Sequence, residues 1–139
     1  MNDRFKFRVW DKIHKRYIYC DFAGYCSVDY LGKGEKRIVF MPSGVEQIKN
    51  GKPLLYAKED EAKIEQCTGL KDKNGKLIYE GDILQDSEQK ILVKYDVNRH
   101  CFMFEYQDTR AYKPICDIDV LSGNFEVIGN IHENEDLLE

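Results

Sequence analysis

The stretch that most limits what this chain can become is residues 64–95, where two turn signals follow each other closely. Asn74-Gly75 is the strongest short turn signal present. Both central positions of a type I′ hairpin turn need a positive φ, which Asn and Gly tolerate best. Leu77-Ile78-Tyr79 comes next, then Glu80-Gly81-Asp82, then Ile83-Leu84. Strand, glycine-marked corner, strand is how a short chain bends into a small barrel. Asn74, Gly75, Gly81 and Asp82 are thus the expected structural corner.

The rest of the chain alternates in the same sense. Phe5, Phe7 and Val9 face one way and Arg4, Lys6, Arg8 and Trp10 the other, the pattern of a half-buried strand with one wet face. Arg16 to Phe22 alternates again, after a turn at residues 11–15. Residues 23–35 read as loop, short strand, loop, and Arg37 to Met41 as a strand broken by Pro42-Ser43-Gly44. Val45 to Lys49 suggests one helical turn before Asn50-Gly51, a second hairpin-type turn. Ile91, Val93 and Tyr95, then Phe102, Phe104 and Tyr106, mark two more half-buried strands. Ile115 to Leu121 and Phe125 to Ile131 mark the last two, with Asn134 placed to cap a final helical turn. The polar run Lys58-Glu59-Asp60-Glu61 divides an N-terminal β region, residues 1–60, from a small-barrel domain, residues 61–139.

Thr68-Gly69-Leu70-Lys71-Asp72-Lys73-Asn74-Gly75-Lys76, continued by Ile78-Tyr79-Glu80-Gly81-Asp82-Ile83, resembles the signature of the YopX family, small proteins encoded by bacteriophages and prophages. Phe5 to Asp11 is similar to that family's opening strand, and Phe125 to Asn134 to its close. The resemblance implies an all-β protein whose C-terminal half is a Src-homology-3-like small barrel, or roll; the expected fold packs the N-terminal β region on that barrel. It implies no known activity and brings no catalytic, cofactor-binding or metal-binding residues. No cofactor is expected.

Composition narrows the compartment. No apolar run approaches the roughly 20 residues of a membrane span, and the N-terminus lacks a signal peptide's apolar region. The five cysteines, at 20, 26, 67, 101 and 116, form no C-x-x-C pair, so reduced thiols in a bacterial cytoplasm are expected. Net charge is −4 but divided: residues 1–60 carry 12 Lys/Arg against 8 Asp/Glu, or +4, and residues 61–139 carry 9 against 17, or −8. A nucleic-acid-binding domain is usually basic overall.

Candidate chemistry is sparse. Cys101 follows His100, but strand neighbours point to opposite faces and cannot act as a nucleophile–base pair. Glu80 with Asp82, and Asp117 with Asp119, are the paired carboxylates a hydrolase needs. A corner anchored by Asp82 and a wet strand face account for them as well. The remaining constellation is basic and aromatic: Arg4, Lys6, Arg8 and Trp10, with Arg16, Tyr17 and Tyr19 from the next strand. Such a face suits a protein partner or single-stranded nucleic acid. The expectation is a non-enzymatic phage or prophage accessory protein. It self-associates into a homo-oligomer through this face and binds host or phage macromolecules. A nucleic-acid-binding module is the alternative and a carboxylate hydrolase the more distant one.

Overall fold

The computed structural model describes residues 3–28, 35–43, 55–115 and 124–138. The Val45–Lys49 helical turn, the Asn50-Gly51 turn, the Asp117/Asp119 pair and Cys116 lie outside the described residues, as does the side chain of Arg4. The described chain is all-β, two 3-10 turns apart, at Asp3–Phe5 and Glu135–Leu138. It divides into two compact units, Phe5–Gln66 and the part from Cys67 onward, to which Asp3 and Arg4 also belong.

In the first unit, β1 (Phe7–Asp11), β2 (Arg16–Val28), β3 (Glu35–Pro42), β4 (Leu55–Lys58) and the first half of β5 (Ala62–Lys71) form an antiparallel sheet in the order β4-β3-β2-β1-β5. Its core is Val9, Cys20, Ala23, Ile38, Phe40 and Ala62, with Phe7, Ile18 and Ile64 packed against them. The expected break after Phe22 does not occur, and β2 runs on to Val28. A bulge between Cys20 and Phe22 absorbs the misfit, so that both Cys20 and Ala23 reach the core. The expected boundary at Lys58–Glu61 is a tight turn inside this unit, because Ala62 to Gln66 pair with β1. The division falls within β5 instead.

In the second unit, the far half of β5 pairs with β6 (Leu77–Tyr79). An antiparallel sheet follows in the order β10-β9-β8-β7-β11, built from β7 (Asp82–Gln85), β8 (Lys90–Asp96), β9 (Cys101–Tyr106), β10 (Tyr112–Pro114) and β11 (Glu126–Asn130). Ile78, Leu84, Ile91, Val93, Phe104 and Phe125 make its core. Among the described residues this sheet is open, with β10 and β11 at its edges, rather than closed into the expected barrel.

Turn chemistry sets the connections. Three four-residue hairpin loops, after Asp11, Asp96 and Tyr106, each end in a residue of positive φ: Lys15, His100 and Arg110. Asp11 Oδ1 accepts from the amides of Ile13 and His14, and Asp96 Oδ1 from those of Asn98 and Arg99. The Asn74-Gly75 turn departs from expectation. Gly75 has φ 83° while Asn74 keeps a negative φ, and Gly75 N–H donates to Asp72 O at 3.0 Å. The loop is a three-residue type I turn closed by a glycine bulge, a hairpin form that Asn-Gly serves as well as type I′.

Gly81 is the corner. Its φ is 86°, its N–H donates to Val93 O at 2.8 Å, and its C=O accepts from Ile131 N–H at 3.0 Å. Asp82, buried beside it, accepts from Tyr79 N–H at 2.8 Å. At the chain's end Asn134 does not cap forward. Its Oδ1 accepts from Asn130 N–H, and its side chain fills the space over Gly129, where a Cβ would lie 2.5 Å from that oxygen.

A side chain at Gly81 must take a left-handed conformation that costs an ordinary residue roughly 1–2 kcal/mol, and a β-branched one more. Gly81→Val is expected to exceed that range in urea unfolding. Gly75→Ala, which enters open space, should stay within it. Equal and small losses for both would contradict the corner.

Candidate interaction surface

The second face of the first unit's sheet carries the basic and aromatic row. Alternation puts Arg8 and Trp10 on β1 opposite the core-facing Phe7 and Val9. Register sets Arg8 directly between Tyr19 and Glu65, and Trp10 between Tyr17 and Lys63. The row is not open to water as expected. Arg8 is 3% exposed and Trp10 4%.

The cause is a partner far away in sequence. Arg8 Nε donates to Glu65 Oε2 at 2.7 Å, and the Tyr17 hydroxyl donates to the same oxygen at 3.0 Å. The Arg8 guanidinium also lies 4.1 Å above the centre of the Tyr17 ring. The Trp10 and Tyr17 rings meet edge to face with centroids 4.9 Å apart. A buried carboxylate, a guanidinium and two aromatics thus close one polar cluster. A buried charge requires such pairing.

Outward from the cluster the face becomes apolar and exposed. Tyr19 follows Tyr17, with rings 6.4 Å apart, and is 48% exposed. Phe22 shares this face because of the bulge and is 51% exposed. Met41 lies opposite Phe22, and Val39 opposite Gly24; both are half-buried and alternate with the core-facing Ile38 and Phe40. Of the other expected surface residues, Lys6 is half-buried, and Arg16 is exposed and reaches toward Asp11 at 3.4 Å.

Sequence reasoning missed Glu65, Phe22 and Asp72. Nothing local marks Glu65, whose partner is 57 residues distant. Strict alternation puts Phe22 on the face of Ile18 and Cys20, because a bulge leaves no trace in it. Asp72 did carry a signal, since Asp favours the first position of a type I turn. Burial pushes its carboxyl up, but amide hydrogen bonds from Val127, Lys76 and Asn74 outweigh that and hold it below the ordinary value. Burial, with the nearby Asp21 charge, pushes the Cys20 thiol up to about 12, so it stays protonated in the core.

The comparisons with known proteins agree with this architecture. The family model described as YopX protein matches residues 6–139. The chain belongs to the YopX family. Protein EF1440 from Enterococcus faecalis has a crystal structure similar to this chain, at 31% identity and a TM-score of 0.60. The match covers 96% of this chain and 97% of that one. No curated protein matches. The residues of the family-like segment at 68–83 have structural work. Thr68 Oγ donates to Ile78 O at 2.8 Å, Asp72 holds the turn, Asn74 Nδ2 donates to Glu126 at 3.1 Å, and Gly81 and Asp82 make the corner.

Removing one member of a buried ion pair costs about 3–5 kcal/mol, whereas replacing both by apolar groups is often neutral. Glu65→Leu in this YopX-family chain should therefore fall in that range in urea unfolding. Adding Arg8→Met should recover most of the loss. Additive losses in the double-mutant cycle would show that the two residues are not coupled.

Proposed function

We propose that this protein works by binding: a phage or prophage accessory protein of the host cytoplasm that associates with itself and, through that assembly, with host or phage macromolecules. The observation that carries the reading is the strip Tyr19, Phe22, Val39 and Met41, where two half-exposed aromatics are held on a rigid sheet. Rigid aromatics lose little entropy on docking, and Tyr and Trp dominate interface energetics. The interaction surface first expected on Arg4, Lys6, Arg8, Trp10, Arg16, Tyr17 and Tyr19 moves outward, because Arg8 and Trp10 are already buried in the folded chain. The partner we favour is a second copy. Residues 1–60 carry +4 and residues 61–139 carry −8, so the basic segment that holds the strip suits the acidic segment of another chain. With Arg8 paired to Glu65, the face holds less unpaired positive charge than single-stranded nucleic acid would select.

The roll-like reading of the second unit belongs to the same proposal. It rests on the β7-β8-β9-β10 meander, the addition of β11 beside β7, and the sharp corner at Gly81. No helix among the described residues is long and apolar enough to cross a membrane.

Size exclusion with light scattering, at low and high salt, tests the association. The wild type should run above monomer mass and lose part of its association as the screening length falls from about 10 Å at 0.1 M to about 3 Å at 1 M. Tyr19→Ser/Phe22→Ser should run as a monomer while unfolding cooperatively, with the midpoint of the dissociated wild type. A wild type that is monomeric under every condition contradicts self-association. An oligomer unchanged by the double substitution places the interface elsewhere.

A further inference from the structure

Asn-Gly is the dipeptide most prone to succinimide formation, because glycine has no side chain to hinder attack by its own backbone nitrogen. Asn74-Gly75 is exposed to water at the tip of the β5–β6 hairpin. Two hydrogen bonds nevertheless oppose the reaction. The attacking atom, Gly75 N, has its proton committed to Asp72 O at 3.0 Å. The leaving group, Asn74 Nδ2, is held on Glu126 Oε1 at 3.1 Å. The backbone on either side is fixed as well, since Asn74 N–H and Lys76 N–H both donate to Asp72 Oδ1 at 2.9 Å.

We propose that Asn74 is a self-modification site gated by the fold. While the turn is closed the pair is inert; when the turn opens, the chain deamidates itself irreversibly. In the open turn Gly75 N gives its proton to solvent and bonds to Asn74 Cγ. The Cγ–Nδ2 bond breaks, and the nitrogen leaves with that proton as ammonia. Water then opens the ring at either carbonyl, leaving aspartate or isoaspartate at position 74. Water is the only co-reactant. Aspartate places a carboxylate where Asn74 now donates to Glu126, so a hydrogen bond becomes a repulsion, and isoaspartate removes that donor. Isoaspartate also lengthens the main chain by one atom inside a three-residue loop, which cannot then close on Asp72. Opening is thereby recorded chemically, and the modified hairpin does not return to its docked state.

The sequence contains its own reference. Lys49-Asn50-Gly51-Lys52 and Lys73-Asn74-Gly75-Lys76 are the same tetrapeptide. In denaturant both sites should deamidate at the same rate, read by peptide mapping with mass spectrometry and by isoaspartyl methyltransferase labelling. In the native full-length chain, deamidation at position 74 should be slower than in denaturant by about tenfold or more, because the rate follows the population of the open turn. Glu126→Ala, at a half-buried position, should raise the native rate several-fold and leave the denatured rate alone. Equal native and denatured rates at position 74, or a native rate indifferent to Glu126→Ala, would overturn the proposal.

Discussion

The Asp72 carboxylate is the interaction on which the second unit depends. One oxygen accepts from the amides of Asn74 and Lys76, and the other from the amide of Val127, 55 residues away. The first pair closes the hairpin between β5 and β6. The second bond ties that hairpin to β11, and Lys73 N–H, donating to Phe125 O at 2.9 Å, runs beside it. Phe125 is thereby set into the core against Phe104, with ring centroids 5.7 Å apart. A carboxylate suits the place because it is acceptor-only and has two oxygens. An amide side chain would turn a donor toward one of the three N–H groups.

The same device recurs at several turns among the described residues. Asp11, Asp82, Asp86 and Asp96 each accept backbone amides at a turn, and Asn130 does so for His132 and Glu133. An all-β chain leaves amides unpaired at its corners, and side-chain oxygens next in sequence satisfy them. Asp82 thus has a structural duty, holding the Tyr79 amide at the turn. The family-like segment maps onto the scaffold, and the exposed apolar strip at Tyr19 and Phe22 lies outside it.

Period-two alternation made most strands legible, including β8 and β9, whose core faces are Ile91 and Val93, and Phe104 with Tyr106. Turn residues made the corners legible at Gly75, Gly81 and Asp82. Three things were not. Asn-Gly fits both a two-residue and a three-residue loop, and the choice fell to Asp72. The bulge after Cys20 reversed the face of Phe22 without changing the residue pattern. Arg8 and Trp10 occupy positions that alternation assigns to water, yet both are buried, Arg8 paired with a carboxylate far away in sequence. Only in the last case does the deciding partner lie far outside the local window, 57 residues away; Asp72 is two residues from Asn74.

The central claim, that an ionised Asp72 holds the second unit together, is tested most directly by stability against pH. A carboxyl held below its ordinary value stabilises the fold fully above the ordinary aspartate range, near pH ~3.9, and loses that contribution as pH falls through its folded value. Urea unfolding of the wild type and of Asp72→Asn, measured from neutral pH downward, isolates the effect, because asparagine does not titrate. The wild type should be the more stable at neutral pH, with the gap to Asp72→Asn closing as pH falls below that range. A gap that stays constant with pH, or no gap at neutral pH, would contradict the account.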